Sequence, residues 1–294
     1  MFAITGATGK VGGAVARTLL AADQSIRVVV RDLSKSKTWA ACGADIALAD
    51  TRDASALTKA LSNVDGAFAM LPPTFDPSPG FTEGRAMIEA LHTALRVAQP
   101  PKLVVLSTIG ADAPQPNLLN QLGLLEHALA DLPMPVTFLR AAWFMENAAW
   151  DVTPARTDGV ISSYLQPLDK TFPMVSAEDV GRTAAELLLE SWVGHRVIDL
   201  EGPRRVSPND IAKAFTNALG GPVKTRIVAR DGWDRLFREQ GMTNPTPRMQ
   251  MLDGFNEGWI DFPKREAESR KGTITIDQAI KALVVETPVK AGSS

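Results

Sequence analysis

The chain has 294 residues, 45% of them apolar and 22% charged, with a formal net charge of −2. That is enough to bury a large core in one extended domain or two unequal ones, and too near neutrality to indicate nucleic acid or an anionic membrane as a partner. Cys42 is the single cysteine, which excludes an intramolecular disulfide and a cysteine-based metal cluster; with no run of about eighteen apolar residues and a strand rather than a signal peptide at the start, a reducing cytoplasm is the expected location.

Phe2 to Thr5 reads as a short apolar strand, and Gly6-Ala7-Thr8-Gly9-Lys10-Val11-Gly12 follows it directly. A backbone that passes close to a pyrophosphate cannot carry side chains at the points of closest approach, and Gly6, Gly9 and Gly12 fit those points. Val11, Val15, Leu19 and Leu20 then recur at helical spacing, which predicts a helix over Val11 to Ala22. Its first N–H groups, near Lys10, face outward with the positive end of the helix dipole and favour an anion. Thr8, Lys10 and Val11 complete the contact set expected of this turn. The spacing is G-x-x-G-x-x-G, and Val11 after Lys10 denies magnesium the hydroxyl that a triphosphatase loop supplies.

Ile26 to Val30 is a β-branched run that completes a β-α-β unit. Arg31 holds the strand-end position, where a carboxylate selects NAD and an arginine accommodates the 2′-phosphate of NADP. NADP(H) is therefore favoured over NAD(H), with Lys35 and Lys37 adding positive potential; Asp32 keeps NAD open if the register is one residue off. Asp45 to Leu48 is a third strand, and Asp50 beyond it is placed to accept from an adenine amino group. Gly66 to Met70, Leu103 to Leu106 and Val136 to Leu139 are further strands. Helices are predicted over Ser55 to Leu61, Thr82 to Val97 and Leu118 to Leu132. The alternation makes an α/β, Rossmann-type doubly wound parallel sheet, with residues 1–150 as the NAD(P)-binding domain.

Beyond about Asn147 the alternation weakens, and residues 151–294 are expected to form mainly a smaller α/β substrate region. Ser176 caps a helix running to Leu189, with Asp179 three residues on in a variant capping box. Residues 194–201 return to the sheet. Trp233, Phe237, Phe255 and Trp259 give the segment from Pro203 to Gly272 too much apolar surface for a linker, and Thr287 to Ser294 is expected to fray.

Several separated motifs together resemble the NmrA-like group of the atypical short-chain dehydrogenases/reductases. They are the glycine turn, Arg31, Asp50, Leu106-Ser107-Thr108-Ile109-Gly110-Ala111, Leu139-Arg140-Ala141-Ala142-Trp143-Phe144-Met145-Glu146-Asn147 and Val175-Ser176-Ala177-Glu178-Asp179-Val180-Gly181. The resemblance implies a dinucleotide domain with the substrate held between it and a smaller C-terminal region. It also implies one of two functions: reduction of quinones or conjugated dyes by NAD(P)H, or redox sensing through a protein partner with little turnover.

A typical member of the wider superfamily carries a Tyr-x-x-x-Lys pair on the helix after the fifth strand, where the tyrosine passes a proton to the substrate oxygen. Here Leu118 and Leu122 take those places, and the single tyrosine, Tyr164, lies far beyond. Carbonyl reduction is disfavoured, and no catalytic residue is assigned. A quinone or a conjugated dye, triphenylmethane or azo, spreads the incoming charge itself, so orientation against apolar walls matters more than acid–base chemistry. Ligands bind beyond the carboxyl ends of parallel strands. Leu71 and Ser107 are accordingly placed on the cofactor side, and Gln121, Trp143, Phe144, Asn147 and Trp259 against a small-molecule electron acceptor. His92, His127 and His195 match no zinc spacing, so no metal is expected.

Overall fold

A computed structural model describes residues 1–263 and 268–287; the expected fraying beyond Thr287 lies outside the described residues. The first half alternates strand and helix: β1 (Phe2–Thr5), α1 (Lys10–Ala21), β2 (Ile26–Val30), α2 (Lys37–Ala41), β3 (Asp45–Leu48), α3 (Ala54–Leu61), β4 (Gly66–Ala69), α4 (Thr82–Ala98), β5 (Leu103–Thr108), α5 (Asn120–Leu129) and β6 (Val136–Ala141). The second half contains β7 (Trp143–Phe144), α6 (Val152–Asp158), β8 (Val160–Ser163), β9 (Met174–Val175), α7 (Ala177–Leu189), β10 (His195–Glu201), α8 (Pro208–Leu219), β11 (Lys224–Ile227), α9 (Trp233–Glu239), α10 (Thr246–Glu257), β12 (Glu268–Lys271) and α11 (Ile276–Glu286).

Eight strands form one parallel sheet in the order β12-β10-β6-β5-β4-β1-β2-β3. This is a Rossmann-type doubly wound α/β fold. Its central strands are continuous apolar runs because helices bury both faces. Val15 and Leu19 of α1 pack with Val180, Ala184 and Leu188 of α7 over one face, while Leu61, Ile88, Leu95, Leu125 and Leu129 from α3, α4 and α5 cover the other. The direction of winding reverses between β1 and β4, which opens a crevice at their carboxyl ends.

The chain does not divide cleanly at residue 150. α7, β10 and β12 lie in or against the main sheet, and Gly181 explains how α7 fits: a Cβ there would stand 2.3 Å from the Ala14 Cβ and 2.6 Å from the Val11 carbonyl oxygen. What remains is a lobe built on α6, α8, α9, α10 and α11, with the small β8–β11 pair, around a core that includes Phe172, Phe215, Trp233, Phe237 and Ile280.

One helix start and one helix cap differ from expectation for local reasons. The helix predicted from Leu118 begins at Asn120. Asn117 accepts the Leu119 N–H at 2.8 Å, and the Leu118 N–H is donated to the Pro247 carbonyl at 2.9 Å, so the first predicted turn serves as a tie to the lobe. Ser176 does cap α7, accepting the Asp179 N–H at 3.0 Å. The capping box is not completed, because the buried Asp179 carboxylate turns away from the cap and accepts the N–H groups of Thr273 and Ile274 at 3.0 and 2.9 Å.

Candidate active site

The glycine turn lies at the carboxyl end of β1. Gly6 adopts φ +69°, and any Cβ there would strike the Met70 sulfur at 2.6 Å. A Cβ on Gly12 would stand 2.4 Å from the Gly6 carbonyl oxygen, so that glycine lets α1 start tight against the turn. Gly9 is different. Its backbone is extended (φ −98°, ψ 176°), and the nearest atom to a Cβ would be 3.4 Å away. Nothing in the protein requires a glycine there, and no side chain caps α1. The helix N-terminus is thus left as a bare cradle of N–H donors, which fits the diphosphate of a dinucleotide. Lys10 and Thr8 are exposed at its rim and Val11 is buried beneath it.

An open groove continues from the turn past Gly13, Arg17, Lys35 and Trp39. Arg31 is exposed beyond β2. Asp32, the residue that kept NAD open, spends its carboxylate on its own turn, accepting the Ser34 N–H at 2.9 Å and the Ser34 hydroxyl at 2.8 Å. Those bonds hold its pKa below the ordinary carboxylate value. Asp50 accepts the Arg52 N–H at 2.9 Å; that bond chiefly, with Arg31 among the nearby cations, lowers its pKa as well.

Beyond β5, Ser107 is buried and donates its hydroxyl to Glu126 of α5 at 2.5 Å. Glu126 also receives Arg140 of β6 through two bonds of 2.8 and 2.6 Å, and Arg140 reaches Asp112 at 2.8 Å. Burial works against the Arg140 cation, but Glu126 and then Asp112 outweigh it and raise the pKa further. This network was not foreseen. The signal was an arginine inside the run Val136-Thr137-Phe138-Leu139-Arg140-Ala141, since a cation in a buried strand requires buried carboxylates. Leu118 and Leu122 stand apart from it in apolar packing, and His127 is exposed.

Leu71 is buried beyond β4. Gln121 is buried against Gly84, with its Oε1 lacking any protein partner. Trp143 and Phe144 are half-buried beyond β6, and the Trp143 ring stands edge-on to Phe255 at 5.2 Å. Asn147 is exposed, and Trp259 packs on Gly254 while donating its indole N–H to Glu257 at 2.9 Å. Glu146, next to Asn147, accepts the Ala177 N–H at 3.0 Å at the start of α7; burial raises its pKa. A strap spans the cleft on the β4 side: Asp76 accepts the N–H groups of Thr243 and Asn244 at 2.8 and 2.7 Å, and Asn244 donates to the Pro77 carbonyl at 2.8 Å. Among the described residues no cluster of His, Cys, Asp and Glu is arranged for a metal, and no helix is long and apolar enough to cross a membrane.

The model of the NmrA-like family matches residues 1–257. The chain belongs to that family. Among its relatives, an NAD(P)H azoreductase from Xenophilus azovorans is 27% identical over 87% of this chain and 85% of its own length. Quinone oxidoreductase 2 from Escherichia coli is 27% identical over 82% of each chain. The fold is shared with a triphenylmethane reductase from Citrobacter sp., with a TM-score of 0.79 at 19% identity over 97% of this chain and 99% of that one. In this NmrA-like chain the motif residues Glu146, Ser176, Asp179 and Gly181 have clear local duties: they join α7 to the sheet, to α1 and to the segment after β12.

Proposed function

We propose that this protein is an NAD(P)H-dependent oxidoreductase that reduces a quinone or a conjugated dye, with NADPH as the favoured cofactor. The observation that carries the reading is the bare N-terminus of α1, where Gly9 is required by nothing in the protein itself. Gly6, Gly9 and Gly12 admit the diphosphate, and the first N–H groups of α1 hold it. Arg31, Lys35 and Lys37 supply the cationic rim a 2′-phosphate needs, while Asp32 is occupied by Ser34. Relatives that are azo and quinone reductases support the same activity.

Bound NADPH supplies a hydride. The protein's share is orientation and exclusion of water. Trp143 and Phe144 form one wall of the acceptor space, Leu71 another, and Gln121 offers a side-chain carbonyl oxygen without a protein partner. Hydride addition to a quinone gives a delocalised phenolate that takes its proton from water, so the site works without a Tyr-Lys pair. Ser107 donates to Glu126, which also accepts from Arg140, so its hydroxyl is held away from the acceptor space.

The test is loss of reduced-nicotinamide absorbance, with NADPH and NADH separately, against quinones, azo dyes and triphenylmethane dyes. Saturable turnover of one class, with higher kcat/KM for NADPH, is the expected result. Absence of turnover by protein that binds the dinucleotide would replace this reading with that of a redox sensor acting through a protein partner.

A further inference from the structure

Most half-buried arginines of this protein have a carboxylate partner, as buried Arg140 does in Glu126: Arg27 pairs with Asp45, and Arg196 and Arg270 with Glu190. Arg248, in the first turn of α10, has none among the described residues. Its guanidinium meets only the Met242 sulfur at 3.6 Å and the face of Phe237, 4.4 Å from the ring centre. A planar group with five N–H donors is poorly served by a thioether and a ring. Burial lowers its pKa. Such a cation calls for an anion.

The place of Arg248 indicates which anion. α10 crosses above the carboxyl ends of the central strands. Pro247 is tied to Leu118 beyond β5, and Phe255 meets Trp143 beyond β6. Met242 directly precedes the two residues that Asp76 holds from beyond β4. Arg248 therefore sits where the ties from β4 and β5 converge on the lobe, above the crevice that the strand ends open. Residues 247–250 are all half-buried, so this end of α10 is neither sealed in the core nor free in solvent.

We infer that Arg248 is a specificity-determining residue of the acceptor site: it receives a carboxylate or sulfonate carried by the acceptor, and so selects anionic quinones or azo compounds against cationic triphenylmethane dyes. An oxyanion would gain charge-assisted, bidentate hydrogen bonds from the fork. A dye cation would meet like charge at low dielectric. The inference rests on the reductase reading for its substrate, but the anion site can be tested without turnover.

The experiment compares wild type with Arg248→Met, which suits the Met242 and Phe237 surroundings, and with Arg248→Lys. One arm measures the ratio of kcat/KM for a ring-sulfonated naphthoquinone to that for the parent naphthoquinone. The expected result is a fall of at least tenfold in R248M, a smaller fall in R248K, and a gain in relative rate with a cationic triphenylmethane dye. A second arm measures binding of non-reducible naphthalenesulfonate to the NADPH-loaded protein by calorimetry, with at least tenfold weaker binding in R248M. A ratio within about twofold of wild type, or equal naphthalenesulfonate affinity in both proteins, overturns the inference. If R248M does not fold, R248K decides: a drop in the sulfonate ratio supports the inference, and an unchanged ratio together with no sulfonate preference in wild type refutes it. Arginine-dependent naphthalenesulfonate binding without reduction of either quinone would keep the anion site and reject the reductase.

Discussion

Asp151 ends the turn that leads from the Trp143–Asn147 segment into α6; it is half-buried there, and no cation among the described residues pairs with it. Desolvation pushes its pKa from the ordinary 3.8 up to about 6, although the Ser162 backbone N–H offsets part of the shift. Because the folded protein binds this proton more tightly than the unfolded chain, the native state carries the extra proton between about pH 4 and pH 6. The stability contributed by this group is thus present at the acid end of that window and is lost as pH rises through it. A shift of this size costs about 3 kcal/mol at neutral pH. Asp151→Asn keeps an acceptor for Ser162 and removes the charge. In urea titrations it should be more stable than wild type at about pH 7.5, and its advantage should shrink by roughly 2 kcal/mol by about pH 4.5. An advantage that does not change with pH, or a variant less stable than wild type at neutral pH, would refute the assignment of a desolvated, unpaired carboxylate.

Gly9→Ala should fold with a loss below about 1 kcal/mol, the usual difference at a helix cap, yet bind NADPH at least about tenfold more weakly by calorimetry. Gly12→Ala should lose both, because its Cβ would stand 2.4 Å from the Gly6 carbonyl oxygen. Gly181→Ala should separate α1 from α7 and cost about 1–3 kcal/mol in chemical denaturation, as overpacking does. Asp179→Ala deprives the N–H groups of Thr273 and Ile274 of their acceptor; limited proteolysis near residue 272 should accelerate, with a loss of about 2–4 kcal/mol. Asp76→Ala should raise hydrogen exchange in residues 71–81 and at Thr243 and Asn244 while shifting the urea midpoint little, since the carboxylate lies at the surface.

The glycine turn and the parallel strands were legible because each obeys a local rule. β1, β2 and β3 match the expected residues throughout, and Gly6 and Gly12 are fixed by atoms within a few residues in sequence or one strand away. Residues whose partners lie far along the chain were not. Asp179 carries a capping-box spacing, but its carboxylate is taken by backbone 94 residues on, which no local pattern reports. Asp76 and Thr243 are 167 residues apart and belong to loops that carry no periodic signal. Arg248 had no signal in the sequence, because an unpaired cation can be recognised only once its surroundings are known. Trp259 was expected against the acceptor; the structure holds it against Gly254 and Glu257 and sets Phe255 edge-on to Trp143.

The same contrast separates the two sides of the site chemically. On the proposed cofactor side the protein offers backbone: N–H groups at the start of α1, kept accessible by glycines whose removal would be felt mainly by a ligand at Gly9 and by the fold at Gly12. On the proposed acceptor side it offers side chains from a lobe whose ties to the sheet half include Leu118 to Pro247, Asp76 to Thr243 and Asn244, Trp143 to Phe255, and Glu286 of α11 to Lys10. On the proposed reading, a change at Arg248 alters what the lobe presents to the acceptor without changing the glycine turn proposed to hold the dinucleotide. Relatives in which azo compounds and quinones are reduced on one fold follow from that division, since the donor half is set by backbone geometry and the acceptor half by a few replaceable side chains. The division makes a distinct demand on Arg248→Met: acceptor selectivity must shift while NADPH affinity, measured by calorimetry on the same preparation, stays within about twofold of wild type. A parallel loss of NADPH affinity would mean that the lobe and the turn are coupled, and the acceptor half would then not be free to vary.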